Sequence, residues 1–182
     1  HALALTDEGA PRGAPTPFLS GSTAMAQATV AGQTLSYTSR SVSSAVEARS
    51  IDAKSGKLSA PRRIFEGPRE LRAIDASADG AWLVMESTSG EDDLLLLSAD
   101  GRENRLLTHD PAFDRTPRFV GDGLTLVFAS NRDGPFSLWT ATLGGTILKL
   151  GPPAACPVNA PAPSPDGARI AAHPIGCDGG VV

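Results

Sequence analysis

The chain is poor in the residues that carry most protein chemistry. It has three histidines, His1, His109 and His173, and two cysteines, Cys156 and Cys177. No histidine stands in a metal-ligand spacing with another histidine or a cysteine. His109 and His173 therefore read as structural, and the turn residues Asp122 and Asp133 as turn formers rather than ion ligands. Gly-x-Ser-x-Gly is absent, so no serine-hydrolase elbow lies within these residues. Gly144–Gly145 and Gly179–Gly180 are hairpin glycines rather than a phosphate loop. The sequence thus assigns no catalytic residue, no metal ligand and no cofactor. No run of roughly 18 apolar residues exists, so no transmembrane helix is expected. Neither sign of charge dominates: the net charge is −4, with acidic and basic residues mixed. The densest basic cluster, Arg62, Arg63, Arg69 and Arg72, is broken by Glu66 and Glu70 and reads as a solvated face. Nucleic-acid binding would want a continuous basic stripe interleaved with aromatics, and aromatics are only 5% of this chain.

Turn residues are what the chain has in quantity. Nineteen glycines and fifteen prolines fit a turn-dense all-β fold, and helical patterning is nearly absent. Four glycines, Gly32, Gly80, Gly123 and Gly167, recur at intervals of 48, 43 and 44 residues. Each opens the same short segment. Leu35, Leu83, Leu126 or Ile170 follows three residues later, and Tyr37, Met85, Phe128 or Ala172 five residues later. Apolar side chains at every second position mark a strand with one face in a core. The intervening Val84 and Val127 imply that the other face is often buried too, as in strands sandwiched between sheets.

An Asp-Gly turn precedes three of these strands, at Asp79–Gly80, Asp122–Gly123 and Asp166–Gly167, which is a strong hairpin signal. Further turns at Asn131–Gly134, at Ser55–Gly56, at Asp100–Gly101 and at Gly144–Gly145 separate strands such as Leu94–Leu97 and Leu138–Ala141. The last strand of a copy ends in Arg105–Thr108 or Leu148–Leu150. Each copy is therefore four short antiparallel strands. A period just above 40 residues built this way is the signature of a β-propeller blade.

The stretches Leu107–Thr108–His109–Asp110–Pro111, Thr116–Pro117–Arg118–Phe119, Asp122 to Gly134, Leu138–Trp139 and Ser164 to Ala171 resemble the TolB-like, WD-repeat-like propeller family. The resemblance runs from about Gln27 onward. It implies an all-β propeller with approximate blades at 27–66, 71–108, 116–150 and an incomplete one at 158–182, preceded in residues 1–26 by a terminal strand and a Pro/Gly/Ser-rich loop. It is specific for fold and poor for function. Such propellers serve as periplasmic binding proteins, as sensor domains and as modules attached to peptidases. The expectation is a non-catalytic module that binds or docks a protein partner, in a periplasmic or membrane-associated assembly. The alternative is the propeller of a prolyl-oligopeptidase-like enzyme whose catalytic domain lies outside these residues. The residues alone leave Cys156 and Cys177, 21 apart, as either two thiols or a disulfide; the resemblance implies a periplasmic or extracellular protein with a bridge.

The first copy departs from the pattern. Glu47 and Arg49 stand where the third copy has Trp139 and Ala141, so this strand is expected to be exposed or its two charges to pair, and they are a candidate interaction surface. The segment 7–26 reads as an inserted loop. Residues 2–6 resemble the last strand of a blade whose other strands are missing. Because the chain begins at His1 and its last copy stops after two strands, the expectation is a piece of a propeller of six or more blades. In the competing arrangement, Ala2–Leu5 pairs near Val181–Val182 and closes a ring of four.

Overall fold

Sixteen strands and no helix make up the described part of the computed structural model, which covers residues 2–5, 11–16, 24–31, 34–88, 92–121, 123–151 and 156–177. The chain divides into two units, His1–Val42 and Ser43–Val182. In the first, β1 (Ala2–Leu5) pairs antiparallel with β2 (Pro11–Thr16), and β3 (Ala24–Ala31) with β4 (Thr34–Arg40). Within the segment 7–26, read as a loop, Pro11–Thr16 is a strand and β3 begins at Ala24, while residues 7–10 and 17–23 lie outside the described residues. Pro11 and Pro15 of β2 are tolerated because both strands of a two-stranded ribbon are edges. Strand β1 pairs with β2. Gly32, residues 178–182 and the side chains of Leu35 and Tyr37 lie outside the described residues.

The second unit opens with the pair β5 (Ser44–Ala48) and β6 (Arg62–Gly67). Two four-stranded meanders follow: β7 (Glu70–Ala76), β8 (Trp82–Thr88), β9 (Asp92–Ser98) and β10 (Asn104–Leu106), then β11 (Asp114–Phe119), β12 (Thr125–Ser130), β13 (Ser137–Thr142) and β14 (Ile147–Lys149). A last pair, β15 (Val158–Pro163) and β16 (Ile170–Pro174), completes the described order. The second and third copies are thus whole antiparallel blades. The residues of the first copy form the pair β3–β4 in the first unit and the pair β5–β6 in the second.

Strand alternation explains the packing. The four leucines of β9 divide by parity: Leu94 and Leu96 join Val84 in one cluster, while Leu95 and Leu97 join Met85 in another. The first cluster continues into the next sheet through Phe119, Leu126, Phe128 and Ala141, with Trp139 packed against it. The second is covered by Val46 and Phe65 of the β5–β6 pair, together with Leu71, Leu83 and Leu106. Sheet β7–β10 is therefore apolar on both faces because a sheet lies over each. Strand β12 repeats this, with Leu126, Val127, Phe128 and Ala129 all at 0% exposure. Of the equivalent repeat positions, Leu126 is fully buried whereas Leu83 and Ile170 are half-buried.

The turns before these strands need glycine. Gly80, Gly123 and Gly167 have φ of 70°, 68° and 69°, a region that costs residues with a Cβ. Their N–H groups close the turns by donating to Ser77, Val120 and Ser164 carbonyls, each at 2.8 Å. Serine adds a contribution that the Asp-Gly signal did not reveal. Ser77 and Ser164 Oγ bond the Asp79 and Asp166 carboxylates and accept the Trp82 and Arg169 N–H groups at 2.9 and 3.0 Å. Ser98, Asp100 and Gly101 build the same turn between β9 and β10. The serine hydroxyl, then a backbone N–H, holds Asp79, Asp100 and Asp166 below the usual carboxylate range. Gly121 has a different role: a Cβ there would sit 2.7 Å from the Pro165 carbonyl oxygen, so glycine permits the third and fourth copies to touch.

Cys156 and Cys177 are joined by a disulfide with a Cα–Cα distance of 6.3 Å, bracketing the β15–β16 pair. Replacing Leu126 by Ala is expected to cost about 2–5 kcal/mol, the range for a fully buried leucine. Urea unfolding of the variant against the parent checks this; a loss below about 1 kcal/mol would contradict the packing described.

Candidate functional site

The first strand of each successive sheet lies against the sheet before it. Strand β11 packs on β7, β8 and β9, and β15 on β11, β12 and β13. These inner strands share a defect. Each carries one extra residue relative to its partner, between Arg72 and Asp75, between Arg115 and Arg118, and between Asn159 and Ala162. At the same place in each bulge a residue with a Cβ adopts positive φ: Ala73 at 48°, Thr116 at 50° and Ala160 at 49°. Such backbone costs on the order of 1–3 kcal/mol per residue and persists where surrounding contacts over-determine it.

Those contacts are polar and run between sheets. The Asp75 carboxylate accepts the Phe119 N–H at 2.8 Å, and Glu86 Oε2 accepts the strained Thr116 N–H at 3.2 Å. Thr116 Oγ1 donates to Asn159 Oδ1 at 2.9 Å, which also accepts the Ala160 N–H at 2.7 Å. The bulge sets a row at one register: Arg72, Arg115 and Asn159. Arg72 is tied to Glu70 at 2.7 Å, and Arg115 to the buried Asp92 at 2.5 Å. Arg115 also lies over the Phe113 and Phe136 rings, 5.2 and 5.4 Å from their centroids. Ile74, one residue after the strained Ala73, is 55% exposed.

Glu86 sits at the join, 5% exposed. Burial pushes its carboxyl above the ordinary value, and nearby Asp92 adds to the push. The Thr116 N–H and the guanidiniums of Arg115 and Arg72 pull it back. A second buried carboxylate, Asp114 at 0% side-chain exposure, accepts two bonds from Arg132 at 2.7 and 2.9 Å. Arg132 also pairs with Asp110 at 3.2 Å and lies 5.0 Å from the centroid of the Trp139 ring, so this group braces the third blade.

The residues singled out in the sequence fall elsewhere. Glu47 is exposed on β5 and pairs with Arg63 of β6 at 3.3 Å, not with Arg49; the two strands place Glu47 and Arg63 opposite each other. Arg49 is exposed just beyond the end of β5. His109 and His173 are exposed. Asp133 pairs with Lys149, and Asp122 lies outside the described residues. The basic cluster is occupied internally: Arg62 bonds the Ala99 and Asp100 carbonyls, Arg63 bonds Glu47 and Glu66, Arg69 bonds Ser87, and Arg72 bonds Glu70. Among the described residues, no group of His, Cys, Asp and Glu has the geometry of a metal site. The inner-strand row was missed because its signal is faint. Arg72, Arg115 and Asn159 do recur at 43 and 44 residues, but without a shared residue type.

Meandering four-stranded sheets stacked face to face, with successive inner strands side by side, define a β-propeller. Solved TolB structures share this fold. A TolB structure from Acinetobacter baumannii matches at 19% identity and a TM-score of 0.58, over 80% of this chain and 42% of its own. A structure assigned to TolB from Agrobacterium tumefaciens matches at 20% identity and a TM-score of 0.55, over 71% of this chain and 49% of its own. An oligogalacturonate lyase in complex with manganese matches at 17% identity and a TM-score of 0.53, over 68% of this chain and 34% of its own. The chain thus spans less than half the length of each, and what is shared is the TolB-like propeller fold. No protein-family model and no curated relative matches the sequence.

The raised Glu86 gives a pH prediction with a definite sign. Its folded pKa exceeds its unfolded value, so its stabilising contribution is fully present below the unfolded value and is lost as pH rises through the folded one. Glu86→Gln keeps an acceptor for Thr116 and cannot ionise. Relative to the parent, the variant is expected to gain melting temperature as pH rises above about 4, the ordinary range of a free glutamate. Parallel melts over rising pH decide; a constant difference would contradict the burial argument.

Proposed function

We propose that the chain is a non-catalytic propeller module that docks another protein, as a domain or subunit of a periplasmic or membrane-associated assembly. One observation carries the reading. Three successive inner strands spend strain on the same bulge, and the bulge holds Arg72, Arg115 and Asn159 at one register beside exposed Ile74. Arginine next to an apolar side chain is the composition that protein interfaces favour. Each of the two arginines already holds a carboxylate, so little side-chain freedom is left to lose on binding. The similarity to TolB structures supports the reading by analogy of fold, and fold alone does not fix function. The Cys156–Cys177 bridge supports an oxidising compartment, periplasmic or extracellular.

The test uses the full-length protein in extracts of its native cells. Ile74→Glu is expected to lower retention of the bound protein at least about tenfold, the effect of losing an interface hot spot, with an unchanged melt because Ile74 is exposed. Equal retention by variant and parent would refute the inner-strand site. A Gly-x-Ser-x-Gly domain in the same reading frame would refute the non-catalytic assignment. For the compartment, thiol titration of native protein in denaturant without reductant is expected to find no free thiol; two would reject the oxidising compartment.

A further inference from the structure

The hairpin between the third and fourth strands of a blade is short in the complete copies. It takes residues 99–103 between β9 and β10, and residues 143–146 between β13 and β14. In the first copy the same connection, β5 to β6, takes residues 49–61, and every one of them is exposed. The excess is an ordered arm. Ile51 and Leu58 form a bridge, flanked by Ser59 N–H to the Ser50 carbonyl and Asp52 N–H to the Lys57 carbonyl, both at 2.9 Å. The Asp52 carboxylate caps the turn through the Lys54 and Ser55 N–H groups at 2.9 and 2.8 Å. The backbone N–H and hydroxyl of Ser55, then the Lys54 N–H, hold that carboxyl below its ordinary value. The Glu47–Arg63 pair spans the root of the arm.

Two features point outward. Ile51 and Leu58 are 66% and 59% exposed, and directly opposed strand residues project from one face. Residues 49–61 carry Arg49, Lys54 and Lys57 against Asp52, a net +2 in a chain of net −4. We infer that this arm is a docking element for a partner protein, with Ile51 and Leu58 seated side-on in an apolar cleft and Lys54 and Lys57 facing acidic groups at its rim. The inference deepens the docking reading above by adding a second contact to it. An anionic membrane fits less well. The apolar pair lies behind the tip, so burying it in a bilayer would drive Asp52, Lys54 and Lys57 into hydrocarbon first, a cost of a few kcal/mol per charge. A side-on protein cleft leaves the tip in water. The hairpin is already bonded into shape, so docking orders little backbone.

The experiment places a photo-crosslinking benzophenone amino acid at position 58 of the full-length protein in its native cells, with a second probe at position 74 on the inner strand. The expected result is a discrete protein adduct at position 58 whose yield falls at least about tenfold when Lys54→Glu and Lys57→Glu are combined, since rim charges govern encounter. No adduct at position 58, adducts only with lipid, or a protein adduct indifferent to the charge reversals would each overturn the arm. An adduct at position 74 without one at 58 would remove the arm while leaving the docking reading standing. Adducts at neither position would remove both.

Discussion

A four-stranded sheet that is apolar on both faces cannot exist alone in water. Every other feature of the chain answers that constraint. The β7–β10 sheet buries one face against the third blade and the other against the β5–β6 pair, through two clusters that meet only across the sheet itself. Each blade therefore derives stability from its neighbours, as in other repeat folds. This is why the leucine run of β9 has no polar alternation, and why the core residues with least exposure lie in β8, β9 and β12. Loss of a leucine here weakens two sheets at once.

Apolar packing joins the faces but cannot set how far one sheet slides along the next. The polar contacts of the inner strands supply that registration. Asp75, Glu86 and Asn159 each receive a hydrogen bond from a neighbouring strand, and two of the donors are backbone N–H groups. The cost is strained backbone at Ala73, Thr116 and Ala160 together with a carboxyl at Glu86 whose ionisation burial opposes. Strain and a perturbed carboxyl in one place are a common mark of sites under functional constraint. The hairpins use simpler means: Ser-x-Asp-Gly turns at Ser77, Ser98 and Ser164, each closed by hydrogen bonds within the turn.

The blade architecture was legible because it is local. Glycine spacing, Asp-Gly turns and alternating apolar residues each act within a few positions, and they located β8, β12 and their hairpins. Strand β2 was illegible because Pro11, Gly13 and Pro15 read as loop chemistry, and only pairing with β1 makes them a strand. Glu47 was noticed, but its partner Arg63 is 16 residues away across a hairpin of unexpected length. The arm itself was hidden because Ser55–Gly56 looks like an ordinary third turn. The strands that flank it, and the exposure of Ile51 and Leu58, are facts of three dimensions. The inner-strand row shares a position but not a residue, so no composition argument could reach it.

The leucine run of β9 has a consequence for how the chain avoids error. In a strand with one polar face, a slip of one residue turns apolar side chains into water, and the penalty enforces the pairing. A shift of Leu94–Leu97 by one position would return leucine to three of the four sites and bring Asp93 or Ser98 into the fourth. The middle of the run barely distinguishes the two alignments, so the decision passes to the strand ends, where a slip would bury a polar side chain in a leucine site. There, Thr88 donates to its cross-strand partner Asp92 at 2.8 Å, Asp92 holds Arg115, and the Ser98–Asp100 turn stops the other end. The buried middle supplies adhesion without information. A few polar atoms at its margins carry the specificity, and a fault in them would yield a well-glued but misaligned blade rather than an unfolded one.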